Sequence, residues 1–230
     1  MRGHGHDGGG GVILGGETDR TVVRRNPSAG RYDRDTIYAI FDEARFCHIA
    51  FLLDGSPAVL PTIHDRVDDV LYIHGSRSNR MLRCMTDPVG ACITVTLFDG
   101  LVLARSLFNH TMNYRSAVAF GHPRTIDNPV EKRDALDHLV EHMLPGRSAE
   151  ARAPNDREMG LTSVLRMPIE EASAKIDSGP PEDEPEDLGL GVWAGQVPAT
   201  LVWGDPIMDH LGTGDPGSGP PASVRRLLGG

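Results

Sequence analysis

Lysine is almost missing from this chain. Lys132 and Lys175 are the only two in 230 residues, and every other basic side chain is arginine. Acidic residues outnumber basic ones 32 to 23, giving a net charge of −9 and a pI of about 5.5. Neutralising a phosphate backbone takes clustered Lys and Arg, so a broad nucleic-acid-binding face is not expected. Cysteine is scarce too. Cys47, Cys84 and Cys92 are an odd number with no Cys-x-x-Cys pair, which argues against a paired-cysteine zinc site and for small buried hydrophobes in a reducing cytosol. No apolar run approaches the ~20 residues of a membrane span. No apolar segment follows the N-terminal charges as in a signal peptide. The expectation is a cytoplasmic protein with no membrane partner. Also missing are a GxGxxG after a first strand, a P-loop, an HExxH pair and a nucleophile elbow. An enzyme without these leaves its hard chemistry to a bound cofactor.

What the chain does have is 27 glycines and 17 prolines, so much of it must be turn and loop. Its length suits one large domain with appendages. Residues 1–30 are Gly-rich and cannot bury enough apolar area to offset their ordering, which predicts a disordered tail. His4 and His6 are too few to form a metal site there. Residues 31–211 are expected to form the folded domain. Residues 212–230, rich in Gly, Pro and Ser, are expected to form a second disordered tail.

Within the domain, Asp33–Phe46 carries Ile37, Ile40, Phe41 and Ala44 at helical spacing, with Asp33 or Asp35 as cap. Cys47–Leu53 is an apolar strand, and Asp54-Gly55 turns it into a second, Ala58–Ile63. Pro61 cannot donate to a ladder, which places that strand at an edge or a bulge. A turn over Arg66–Asp69 leads to a third strand, Val70–Ile73, and a helix follows from about Asn79 to Met85. Val89–Phe98 alternates with period 2. Asp99-Gly100 reads as a turn before Leu101–Phe108, and Tyr114–Gly121 alternates again. Asn128–Met143 reads as a helix with Val130, Leu136, Leu139, Val140 and Met143 on one face. Thr162–Ile169 and Ala172–Ile176 complete the β segments, and Trp193–Trp203 is a last ordered piece. Strands joined by tight turns and not by helical crossovers predict antiparallel pairing, hence a barrel or sandwich with peripheral helices.

The loop His74-Gly75-Ser76-Arg77-Ser78-Asn79-Arg80 gathers hydroxyls, an Arg fork and backbone amides where a strand runs into a helix. Those groups suit a phosphate dianion; the alternative is an ordinary N-capped polar loop. His110, Asn113, Tyr114 and Arg115 form a second polar group, either facing a ligand or lying on a surface hairpin. Trp193 and Trp203 either flank a flat ring or pack in a core or an interface.

Five strings taken together, CHIAFLLDGSPAVLPT, LYIHGSRSNRML, LVLARSLFNHTMNYRSAVAFG, EHMLPGR and EEASAKIDSGPPEDEPEDLGLGVWAG, resemble the pyridoxamine 5′-phosphate oxidase-like superfamily. The closer likeness is to its flavin-nucleotide-binding branch, which includes the nitroimidazole-resistance proteins. The resemblance covers about residues 31–210. It implies a mainly β fold with peripheral α-helices, an antiparallel six- to seven-stranded split β-barrel, and a homodimer holding FMN at its interface. The backbone of Leu60, Pro61 and Thr62 would lie along the isoalloxazine. Ile73, His74, Ser76, Asn79 and Arg80 would hold ribityl and phosphate. Tyr114, Arg115 and Ser116 would approach from a facing strand, and Trp193 would stand beside the flavin. The oxidases carry Arg-Lys where this chain has Asn79-Arg80, and their Arg-x-His substrate grip has no counterpart after Trp193, where Ala199–Leu211 offers only His210. Vitamin B6 oxidation is therefore not expected. The implied function is a flavin-dependent oxidoreductase of unassigned substrate. His74, His110 and Tyr114 are the side chains nearest in prospect to the ring, with no acid or base assigned. A non-catalytic flavin carrier, a deazaflavin in place of FMN, or haem on His48, His64, His74 or His110 are the alternatives.

Overall fold

Asp33 opens the first helix, its carboxylate accepting from the Thr36 amide at 2.9 Å. The helix α1, Arg34–Glu43, buries Ile37, Ile40 and Phe41 completely or nearly so, with Ala44 just beyond its end, as the spacing predicts. The computed structural model describes residues 16–86, 88–209, 211 and 219–229. His4, His6 and His210 lie outside these.

The strands, in chain order, are β1 Gly30–Arg31, β2 Cys47–Leu53, β3 Ser56–Thr62, β4 His64–Val67, β5 Val70–Ser76, β6 Ala91–Leu103, β7 Thr111–Gly121, β8 Arg124–Thr125, β9 Thr162–Pro168, β10 Glu171–Asp177 and β11 Gly195–Pro198. The other helices are α2 Arg80–Met85, α3 Pro129–Met143, α4 Asp156–Leu161 and α5 Ala222–Leu227. A seven-stranded sheet runs β1-β10-β7-β6-β2-β3 with β11 added on β6, and a four-stranded sheet runs β4-β5-β9-β8. All the pairings are antiparallel. The chain passes between the sheets at Ile63, through α2 between β5 and β6, at His122-Pro123 and at Ile169-Glu170. These corners fold the two sheets into a split barrel. Ile49, Leu71, Ile73, Ile93, Leu165, Met167 and Ile169 fill it, with Phe41 and Ile37 from α1. Gly121 sits at one corner, where an added Cβ would stand 2.1 Å from the Pro168 carbonyl oxygen.

Several local expectations change. Asp99-Gly100 does not end a strand. β6 runs through it to Leu103, and the register shifts between Phe98 and Gly100 as a β-bulge, with Gly100 at φ +150°. A glycine turn and a glycine bulge look alike in sequence. The segment Arg66–Asp69 is half strand, because only Asp68-Asp69 turns the chain between Val67 and Val70. Helix α3 buries Ala135 and Leu139, while Val130 and Met143 are exposed; His142 takes the buried place one turn on. β3 is the sheet edge that Pro61 requires. The described part of the Gly-rich N-terminal stretch packs on β10: Arg20 pairs with Glu171, and Gly30 and Arg31 pair with Lys175 and Ala174. Near the other end, Ser223 donates to Glu150 at 2.5 Å and Arg226 to the Pro145 carbonyl at 3.2 Å, so α5 is docked where a loose tail was expected. The three cysteines are free.

Candidate cofactor site

The polar loop after β5 is built by local rules. Asn79 caps α2 by accepting from the Met81 amide at 2.9 Å. The Ser76 and Ser78 hydroxyls hydrogen-bond to each other at 2.9 Å. The Arg77 amide donates to the Leu161 carbonyl at 2.8 Å, tying the loop to the end of α4. Gly75 leaves the room that a Cβ would fill, because that atom would stand 3.1 Å from the Asn79 amide nitrogen and from Leu82. α2 has only six residues, so its dipole is a minor contribution and the side chains must hold any anion.

His74 and Ser76, two apart on β5, share a face. The Nδ1 of His74 is buried and has no partner, and burial lowers the imidazole pKa. A buried polar atom without a partner is rare and asks for a missing one. Ile73 points the other way and belongs to the core, so it can contribute only backbone. Arg80 pairs with Asp54 of the β2–β3 turn, which sets the loop beside β3. There Leu60 and Pro61 are exposed and Thr62 is half-buried. The first group of expected site residues is thus gathered around one loop and one sheet edge.

The second group lies elsewhere. Tyr114, Arg115 and Ser116 lie on β7 opposite Phe98, Leu97 and Thr96, with β6 and β2 between them and β3. Lys175 stands 5.7 Å from the Tyr114 ring. Arg115 is clasped by two carboxylates: it donates to Asp99 at 2.8 and 2.9 Å and to Glu43 at 2.8 Å. Those hydrogen bonds, to Asp99 first and then Glu43, push its pKa up and leave it no free fork for a phosphate. Trp193 is 64% exposed and lies against Gly195, whose strand pairs with Leu103 at the far end of β6. Within one chain Trp193 therefore stands at the far end of β6 from the β3 edge, while Tyr114–Ser116 lie two strands across the sheet beside the middle of β6. Arg115 also borders a cavity of about 630 Å³ that Phe46, Phe98, Leu201 and Trp203 line with apolar surface.

The four candidate haem histidines separate. His64 is fully buried, with Nε2 donating to the Phe41 carbonyl at 3.0 Å. His48 is exposed beside the Phe46 ring. His74 is the orphan described above. His110 donates from Nδ1 to the Ser106 carbonyl at 2.8 Å, which fixes the tautomer and leaves Nε2 bare.

The chain's residues 33–176 match the family model described as pyridoxamine 5′-phosphate oxidase. The chain belongs to that family. Among solved structures it is similar to the flavocytochrome Anf3 from Azotobacter vinelandii, at 33% identity over 91% of this chain and 96% of that one, with a TM-score of 0.84. It is also similar to an FAD and heme binding protein from Mycobacterium smegmatis, at 35% identity over 86% of this chain and 97% of that one, TM-score 0.80. A candidate 5-nitroimidazole antibiotic resistance protein from Bacteroides thetaiotaomicron matches at 26% over 63% of this chain and 84% of that one, TM-score 0.52. No curated protein matches. Against the pyridoxamine 5′-phosphate oxidase family pattern, sequence reasoning found the loop but missed Asp54 as the partner of Arg80. That pair joins residues 26 apart, and only the β2–β3 turn brings them together.

Proposed function

We propose that the protein is a homodimeric flavin-dependent oxidoreductase, with the FMN moiety held between β3 and the His74–Arg80 loop. The observation that carries this is the buried, unpartnered Nδ1 of His74 on the same strand face as Ser76, beside a second hydroxyl and an arginine. Ser76 and Ser78 would donate to phosphate oxygens, and the β3 backbone would run along the ring. A bound flavin supplies an N5 that accepts or gives a hydride. Arg80 can turn to a phosphate at little cost. Its pair with Asp54 is open to solvent, with the side chains 56% and 78% exposed, and such pairs contribute about 0–1 kcal/mol. A hydrogen bond from a charged group contributes about 1.5–3 kcal/mol. Arg115 is the opposite case, held by two acids, and braces β7 against α1. The exposed apolar side chains of Trp193, Leu201, Val202 and Trp203 give a second copy a surface to cover, and the partner's Trp193 end of β6 would then complete the site. The alternative of a non-catalytic carrier uses the same grip.

The purified protein is expected to show flavin absorbance, or to gain it on titration with flavin. A protein that stays colourless with added FMN and FAD would sink the reading. Arg80→Ala should weaken binding about tenfold or more. Asp54→Asn, which frees Arg80 and removes a like charge, should tighten it. Mass spectrometry of the released ligand separates FMN from a deazaflavin.

A second cofactor is favoured by His110. Its bare Nε2 stands next to Leu107 and Phe108, which are 90% and 91% exposed. A neutral imidazole fixed through its other nitrogen is the form that ligates a metal, and both of the more similar solved structures are named for flavin with haem or cytochrome character. Haem titration is expected to give a Soret band that His110→Ala abolishes and His48→Ala keeps. The reverse pattern would move the ligand to β2.

A further inference from the structure

We propose that the cavity bordered by Arg115 binds an uncharged, planar, fused-ring aromatic molecule that carries carbonyl oxygens, the quinone class. As the substrate class of the proposed flavin this rests on the reading above; as a binding site it stands on its own geometry. The site is a break in the larger sheet. β2 pairs with β6 as far as Thr94, and β11 joins β6 at Gly100. Between them Thr96, Leu97 and Phe98 have β7 on one side and no strand on the other among the described residues. Alternate residues of a strand turn their N–H and C=O to alternate sides, so at least one such pair opens into the break. A ligand that reaches it finds a donor and an acceptor held in place. The cavity of about 630 Å³ lies here, within the range of roughly 300–1,000 Å³ usual for small-molecule sites.

The lining decides the class. Phe46, Phe98, Leu201 and Trp203 all line the cavity and are exposed, so the three rings offer flat faces to a flat ligand. Val202 is outside the lining and remains, with Trp193, as surface for a second copy. Two cations and two carboxylates share the wall, Arg45 and Arg115 with Glu43 and Asp99, and they answer one another. Arg115 takes both acids, and Arg45 donates to the His142 carbonyl at 2.7 Å. No charge is left over to compensate one on a ligand, and burying an uncompensated charge is costly. Thr96 and Thr200 also line the cavity, and their hydroxyls make no hydrogen bond among the described residues. Each can donate to a carbonyl oxygen. The place suits a molecule that meets the flavin. Phe46 leads into Cys47, which pairs with Thr62. The Phe46 ring also meets that of His48, the strand partner of Pro61, edge-on at 5.6 Å. The cavity therefore begins at the end of β3 where the isoalloxazine is proposed to rest.

The test titrates flavin-free, full-length protein by calorimetry with two probes that share a ring system and differ in charge, hydroxymethyl-anthraquinone and anthraquinone sulfonate. The neutral probe should bind the wild type about tenfold or more tighter than the sulfonate. In Trp193→Phe, where Trp203 is the one remaining tryptophan, the neutral probe should quench the fluorescence. Phe98→Ala should weaken the neutral probe by about tenfold. Glu43→Gln leaves Arg115 with Asp99 alone and should shift the preference towards the sulfonate by about tenfold, the effect of one charge-assisted contact. Both substituted side chains are exposed, and circular dichroism checks that the variants are folded. Equal affinity for the two probes in the wild type, an unquenched Trp203, or neutral-probe affinity untouched by Phe98→Ala would overturn the inference. So would binding of neither probe, the result expected if a second copy fills the cavity. FMN titration of the wild type separates the two readings. FMN bound without the neutral probe overturns this inference alone; the neutral probe bound without FMN supports the site and overturns the flavin reading.

Discussion

Replacing Gly121 by alanine should lower the melting temperature by about 6–12 °C, from a loss of about 3 kcal/mol or more at roughly 2–4 °C per kcal/mol for a chain of this size. The new methyl would stand 2.1 Å from the Pro168 carbonyl oxygen and 3.3 Å from its carbon. Both are backbone atoms of β9 where it leaves the smaller sheet, and the Met167 Cγ at 3.0 Å closes the remaining side. A flexible side chain could move aside, but here two strands must separate at the corner that joins the sheets. Gly160→Ala is the control: it adds a methyl in open space inside α4 and should be neutral or stabilising by about 0.5–1 kcal/mol. Thermal melts followed by circular dichroism would decide. A Gly121→Ala protein that melts with the wild type would mean that the two sheets do not meet as described.

The second large effect is set by pH. His64 is fully buried between α1 and α3, its ring 5.9 Å from Phe41 and 5.1 Å from His142. Its Nε2 donates to the Phe41 carbonyl, so a second proton must go to Nδ1, which is buried without an acceptor. Desolvation therefore drives the imidazole pKa down from 6.5 to about 4. The unfolded chain binds that proton more readily, so stability rises with pH. The contribution is fully present above the ordinary value of 6.5 and is lost as pH falls towards about 4. It amounts to about 3 kcal/mol. Asp65 works the other way. Burial raises its pKa, so the strain of its charge in the fold is relieved as pH falls, and the net loss is smaller than His64 alone would give. In His64→Gln an amide can keep the bond to Phe41 but cannot charge. Urea midpoints measured from pH 7 to pH 4.5 should fall less steeply in this variant than in the wild type. Equal slopes would show that His64 is not the titrating group.

How far the chain could be read depended on the range of the signal. The α1 stripe and its Asp33 cap, the edge position of β3 and the capped start of α2 are local, set by spacing, by the missing N–H of Pro61 and by one side-chain oxygen. They could be read directly. The bulge at Asp99-Gly100 could not, because glycine serves a bulge and a turn equally well. Nor could the face of α3, where a histidine holds the place an apolar residue was expected to fill. The grouping of site residues was legible only as far as the chain neighbours one another. His74 to Arg80 is one loop, but its ties to Asp54 and Leu161 come from a turn and from a strand register more than 80 residues on. The clasp on Arg115 was also out of reach. Glu43 is 72 residues away in sequence, and only the packing of α1 on β7 brings it in.

The length of β6 sets a rule of mass action. From Thr94, level with Pro61 through His48, to Leu103, opposite Gly195, the strand covers nine steps, or roughly 30 Å at about 3.3 Å each. An isoalloxazine resting on β3 in one copy is out of reach of that copy's own Trp193. If the proposed homodimer shares the site between copies, each chain alone would have a handle without a lid. On the proposed homodimer, dilution would cost the protein its cofactor as well as its partner, and the apparent flavin affinity would become a function of protein concentration.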